Sequence, residues 1–84
     1  MITRDEVTGM VRDVFHTTLK IAPDKLELDT MLRDDLNLDS LDMIEVVYEL
    51  EDRFDVQIAD EAMLEIVTFE QVVDGLYAAI EAKG

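Results

Sequence analysis

The residues with the clearest chemical potential are Asp39-Ser40-Leu41-Asp42, a hydroxyl set among acids where an amphipathic pattern begins. Asp39 suits a helix N-cap, because its carboxylate can accept hydrogen bonds from the free N–H groups of the first turn. That puts Ser40 at the first helical position, with its hydroxyl near the positive end of the helix dipole. A phosphate ester there would meet free N–H donors and a favourable dipole, worth roughly 0.3–1 kcal/mol when exposed. Hydroxyl, helix start and flanking acids together suggest a modification site, addressed by an enzyme with a basic docking face.

The elements that must position Ser40 follow from periodicity. Thr3-Arg4-Asp5-Glu6 is a capping box, and Val7, Met10, Val11, Val14, Phe15 and Leu19 recur at helical spacing. A first helix is therefore expected over about 4–19, with Pro23 preventing its continuation. Residues 20–38 have no clear period, so they form a long connection of the kind that is functional or pinned to a core. Leu26, Leu28, Leu32 and Leu36 are the expected pins.

A second helix over about 40–54 carries three distinct faces. Met43, Val46, Val47, Leu50 and Phe54 form its core face. Asp42, Glu45, Glu49 and Asp52 make an acidic stripe on roughly the opposite side. Leu41, Ile44 and Tyr48 form a second apolar stripe beside the acids. That stripe either packs under a following short helix or stands open as a docking patch.

Phe54-Asp55-Val56-Gln57-Ile58 reads as an extended linker with Val56 and Ile58 tucked in. Asp60 can cap a short helix running from Glu61 to about Ile66. Thr68-Phe69-Glu70-Gln71 is a second capping box, opening a last helix to about Ala82. Its inward face is Phe69, Val72, Val73, Leu76, Tyr77 and Ile80. Gly75 lies inside this helix at a cost of up to about 1 kcal/mol, which close helix packing would explain. The expected fold is all-α: a small four-helix bundle of three main helices and one short one, with a long loop between the first two.

The 84 residues suffice for a single domain spanning 1–84, and 49% of them are hydrophobic, enough to build a thin core. The formal net charge is −14, so stability should fall at low ionic strength, where acids repel one another most. Five of the seven basic residues precede residue 34, and Arg53 is the only one between Asp34 and Glu65. Such a field repels nucleic acid and anionic membranes and attracts basic protein surfaces. With no cysteine there is no disulfide or thiolate metal site. The sequence has no secretion-signal pattern and no apolar run near the roughly 20 residues that cross a bilayer. A cytoplasmic monomer without a membrane span is the expectation.

Other chemistry fits less well. Asp35-x-Asn37-x-Asp39 matches the first three ligand positions of a calcium loop, but Ser40 stands where glycine is required and Val46 where a bidentate glutamate is required. No metal site is assigned. His16, the single histidine, reads as a surface helix residue, and no catalytic residue is assigned. The methionines at 10, 31, 43 and 63 read as flexible core filler, or as the adaptable lining of a cavity.

The Ser40 segment resembles the acyl carrier protein family. Asp39-Ser40-Leu41 is similar to that family's Asp-Ser-Leu attachment motif, and Leu32-Arg33-Asp34-Asp35-Leu36 to its apolar-x-x-Asp-Leu lead-in. Asp42 and Glu45 match acids that follow the serine, and Glu51-Asp52-Arg53-Phe54-Asp55-Val56-Gln57-Ile58 resembles the Glu-x-x-Phe…Ile segment after the second helix. The resemblance is strongest from about Leu32 to Glu61. It implies 4′-phosphopantetheine, taken from coenzyme A by a phosphopantetheinyl transferase and joined to Ser40, with Asp39 and Leu41 flanking the attachment. It also implies acyl cargo held as thioesters for acyl-transferring or ketosynthase-type enzymes of fatty acid, polyketide or related biosynthesis. Asp42, Ile44, Glu45, Tyr48, Asp52, Asp60 and Glu61 are the expected partner contacts.

Two positions depart from the family pattern. Asn37 stands where glycine is frequent, and Ala59 where proline is. Both point to a specialised carrier rather than a housekeeping one. A peptidyl or aminoacyl carrier is the nearest alternative. A non-carrier acidic protein mimicking nucleic acid would explain the charge, but not the Asp-Ser-Leu helix start.

Overall fold

A computed structural model of the chain describes residues 2–59, 61 and 65–83. Three helices dominate it: α1 (Arg4–Leu19), α2 (Ser40–Phe54) and α3 (Phe69–Lys83), with a 3-10 turn at Pro23–Lys25. Among the described residues there is no β-strand, only an isolated bridge between Met31 and Thr68. The all-α bundle with a long first loop is therefore as expected. The short helix expected from Glu61 to about Ile66, with its Asp60 cap, falls largely outside the described residues.

Each helix begins where its side chains can satisfy the orphan N–H groups. The Thr3 hydroxyl accepts from Glu6 N at 3.2 Å while Glu6 Oε1 accepts from Thr3 N at 3.1 Å. At α3, Gln71 Oε1 accepts from Thr68 N at 2.9 Å and the Thr68 hydroxyl accepts from Gln71 N at 3.4 Å. Helices α1 and α2 both end on left-handed residues, Lys20 (φ 63°) and Asp55 (φ 53°).

Helix α1 packs against both α2 and α3. Val7, Val11, Val14 and Phe15 of α1 meet Met43, Val46 and Leu50 of α2, and Phe69, Val72, Val73 and Leu76 of α3, in one core. Phe15 and Phe69 meet edge to face, with ring centroids 5.5 Å apart. Tyr77 and Ile80 are half-buried against the same cluster. Phe54 is also only half-buried, because α2 ends there and the chain turns away through Asp55. Val56 is buried and Ile58 half-buried, as expected of the linker.

Ion pairs tie the helices at the rim. Arg4 of α1 reaches Glu70 and Asp74 of α3, and Arg53 of α2 reaches Asp13 of α1 at 3.1 Å. Both guanidinium groups are held above their ordinary pKa, chiefly by the hydrogen bonds they donate to Asp74 and Asp13 respectively.

The long loop is pinned by fewer leucines than expected. Leu26 and Leu32 are buried and Leu36 is half-buried, but Leu28 is exposed. Leu28 contributes its backbone instead: its carbonyl accepts from Glu70 N at 3.0 Å, at the mouth of α3. The buried polar pin is Thr30, whose hydroxyl accepts from Glu27 N at 2.9 Å and donates to the Lys25 carbonyl at 3.2 Å.

Close packing does not explain Gly75. A Cβ built there, or at Gly9, meets nothing within 4 Å. Gly75→Ala should therefore raise stability by roughly 0.5–1 kcal/mol in a urea melt, by removing unfolded-chain freedom. Leu50→Ala, at a fully buried site, should cost about 2–5 kcal/mol in the same assay. Phe54→Ala should cost less than Leu50→Ala.

Candidate functional site

Ser40 is the first residue of α2, and a reciprocal cap made of two acids holds it there. Asp39 has extended backbone (φ −110°, ψ −176°), and its Oδ1 accepts from Asp42 N at 2.9 Å. Asp42 Oδ2 in turn accepts from Asp39 N at 3.1 Å. The helix start is thus fixed from both sides, and the exposed Ser40 side chain projects from its first turn. Among the described residues the hydroxyl has one side-chain partner: Arg33 Nη2 donates to Ser40 Oγ at 3.3 Å.

Arg33 is seven residues before Ser40, and the intervening chain folds back on itself. Asn37 N donates to the Arg33 carbonyl at 2.9 Å, Leu38 N to the Leu32 carbonyl at 3.1 Å, and Asp35 N to the Met31 carbonyl at 2.8 Å. Asn37 sits in the left-handed region at φ 58°, which asparagine tolerates better than most side chains. The asparagine in place of glycine therefore still makes the left-handed turn that glycine makes at least cost. Leu36 and Leu38, half-buried against the core, hold the turn to the bundle.

The expected docking residues separate into two groups. Leu41 is 69% exposed and Tyr48 62% exposed, with Ile44 half-buried between them. Glu45, Asp52 and Glu61 are exposed as well. The second apolar stripe is thus an open patch with acids around it, not a buried seam. Asp42 is half-buried and engaged in the cap, and Glu49 pairs with Arg53 at 3.4 Å. Asp60 lies outside the described residues.

The calcium-like spacing has a local explanation. Asp35 Oδ2 accepts from Met31 N at 2.8 Å, closing the turn, and Asp39 caps α2. Among the described residues no cluster of three or more His, Asp or Glu side chains could hold a metal ion. His16 is in the last turn of α1, where its Nδ1 lies 3.1 Å from the Ile21 carbonyl oxygen. A carbonyl can only accept, so that nitrogen carries a proton, and the ring serves the end of α1. The methionines divide: Met43 is buried, Met31 half-buried and Met10 exposed, while Met63 lies outside the described residues.

Two features of the site were not anticipated from the sequence. The Asp39-x-x-Asp42 spacing is that of a capping box, a signal open to sequence reading. The Arg33–Ser40 contact has no such signal, because it depends on the left-handed turn at Asn37.

Residues 10–76 match the family described as phosphopantetheine attachment site. Curated acyl carrier proteins are similar over most of their length. One from Chlorobium phaeovibrioides is 37% identical over 73 residues, covering 87% of this chain and 94% of the relative. One from Campylobacter hominis is 38% identical over 68 residues, covering 81% of this chain and 86% of the relative. The crystal structure of an acyl carrier protein from Thermotoga maritima superposes with a TM-score of 0.85 at 20% identity, covering 96% of this chain and 94% of that one.

The geometry of the helix start leads to a stability test. Asp39→Ala should destabilise the fold by about 1 kcal/mol through loss of the cap. Asn37→Gly should change thermal stability little, whereas Asn37→Val should lower it by roughly 1–2 kcal/mol, because a β-branched residue is strained at positive φ.

Proposed function

Because the chain belongs to the acyl carrier protein family, with phosphopantetheine as the family's cofactor, we propose that Ser40 bears the arm and presents acyl thioesters to biosynthetic enzymes. The observation that carries this reading is the exposed Ser40 hydroxyl at the first turn of α2, held there by the Asp39–Asp42 cap. In the loading step Ser40 Oγ attacks the phosphorus of coenzyme A that bears pantetheine. The Oγ–P bond forms, the P–O bond to the nucleotide breaks, and 3′,5′-ADP leaves. The serine proton passes to a base on the transferase, since the flanking carboxylates of Asp39 and Asp42 are committed to the cap. The arm's terminal thiol then holds cargo of the fatty acid, polyketide or a related class.

Recognition falls to the surface beside Ser40. Leu41, Ile44 and Tyr48 offer apolar contact, and Glu45, Asp52 and Glu61 attract basic residues of partner enzymes. Exposed ion pairs are individually weak, so such contacts steer encounter and release quickly, which suits a carrier that visits several enzymes. Among the described residues no helix is long and apolar enough to cross a membrane.

Intact mass after incubation with coenzyme A and a broad-specificity phosphopantetheinyl transferase tests the attachment. The expected result is a gain of one phosphopantetheinyl group, absent in Ser40→Ala. No gain with several transferases would remove the carrier reading. The docking surface is tested with Glu45→Lys and Asp52→Lys combined, which avoids Asp42 because that residue closes the cap. The transferase KM should rise several-fold, the increase should shrink with added salt, and helical content should hold.

A further inference from the structure

We infer that Arg33 is a positioning residue for the modified carrier, pairing with the phosphodiester that joins Ser40 to its arm. The inference rests on the reading that Ser40 carries the arm, and it begins with the company the arginines and Lys83 keep. Arg4 binds Glu70 and Asp74, Arg53 binds Asp13 and Glu49, and Lys83 binds Asp55. Arg12 donates to the Leu26 carbonyl at 2.8 Å and lies over the Phe69 ring. Arg33 alone of these arginines is aimed at a neutral hydroxyl, Ser40 Oγ, at 3.3 Å.

That choice is unusual in so acidic a segment, and the hydrogen bonds account for it. Three nearby carboxylates are committed to backbone donors, Asp35 to Met31 N, Asp39 to Asp42 N and Asp42 to Asp39 N, while Asp34, the next residue along, is exposed and makes no ion pair with Arg33. The backbone around Arg33 is also fixed, since Leu38 N donates to the Leu32 carbonyl and Asn37 N to that of Arg33 itself. The loop thus presents a guanidinium to the helix start without an anionic partner of its own among these acids.

Modification supplies that partner. The phosphorus attaches to the same Oγ that Arg33 now contacts, so its non-bridging oxygens lie one bond further on, within reach of the guanidinium. A neutral acceptor is exchanged for an anionic one with two oxygens, which suits the planar donor pair of arginine and turns a contact charged on one side into an ion pair. The pairing also offsets the charge that a phosphodiester adds to a surface already strongly acidic. Held by Arg33, the base of the arm leaves the helix in one direction, while its distal end stays mobile.

The test uses the whole chain labelled with nitrogen-15, before and after loading from coenzyme A by a phosphopantetheinyl transferase, with mass confirming the loading first. The Arg33 Nε–Hε resonance should move on loading, while those of Arg4 and Arg53 stay in place. The phosphorus-31 line of the phosphodiester should narrow in loaded Arg33→Ala and recover most of its width in Arg33→Lys. Raised salt should narrow the wild-type line toward the Arg33→Ala width, as for an exposed ion pair. An unmoved Arg33 resonance, or equal linewidths in wild type and Arg33→Ala, overturns the inference while leaving the carrier reading intact. Failure of Ser40 to load appears at the mass step and overturns the carrier reading instead.

Discussion

Ser40 owes its position to backbone pairing on the far side of the loop. Leu32 N donates to the Val67 carbonyl at 2.9 Å, Phe69 N to the Thr30 carbonyl at 3.0 Å, and Glu70 N to the Leu28 carbonyl at 3.0 Å. These bonds join the loop to the segment that opens α3, where the first N–H groups of a helix would otherwise lack partners. Phe69 reinforces the joint, with Phe15 edge-on against its ring and the Arg12 guanidinium over it, while Arg12 also holds the Leu26 carbonyl. Ordering an irregular loop costs roughly 1–2 kcal/mol per residue in backbone entropy. Two buried leucines cannot offset that alone, so the pairing with residues 67–70 is what gives α2 a defined starting point.

The acids divide into those that build and those that remain available. Asp35, Asp39 and Asp42 satisfy backbone donors around Ser40, and Glu51 accepts from Ile58 N at 2.8 Å to hold the linker after α2. Asp13, Glu49, Glu70 and Asp74 meet arginines between or along helices. Glu45, Asp52 and Glu61 remain exposed. Beside Ser40, then, a place in the acidic stretch does not by itself leave an acid free for other contacts. Much of the acidity around the serine is internal wiring, carried by side chains short enough to reach their own backbone.

How much of this was legible in the sequence depended on whether the signal was local. The starts of α1 and α2, and the inward faces of all three helices, follow from caps and periodicity, both properties of short stretches. The leucines of the loop do not. Leu26 and Leu28 are chemically alike and two residues apart, yet one is buried and the other exposed, because burial there is decided by which residues face α1 and α3. Phe54 fits the core period of α2 but sits on its last turn, where the bundle no longer covers it fully. Asp42 reads as a surface acid by position and proves half-buried, because a three-residue reach back to Asp39 N was available. Arg33 could not be paired with Ser40 before the left-handed turn at Asn37 was seen.

Helix α2 keeps cap, core and exposed apolar patch on separate faces, and that separation has a consequence. Substitutions at the exposed Leu41, Glu45 or Tyr48 touch neither the cap nor the core, so this face can change without disturbing the fold. Asp42 is the exception. Its carboxylate is in the acidic stripe by helical position and in the cap by hydrogen bond, so any change to it also loosens the turn that presents Ser40. The same coupling runs through the loop: Arg33 and Asp35 lie on one short turn, one aimed at Ser40 and the other closing the backbone that aims it. The exposed face of α2 is free to vary, whereas Arg33, Asp35, Asn37, Asp39 and Asp42 act as one mechanical unit. The placement of the Ser40 hydroxyl depends on all of them at once.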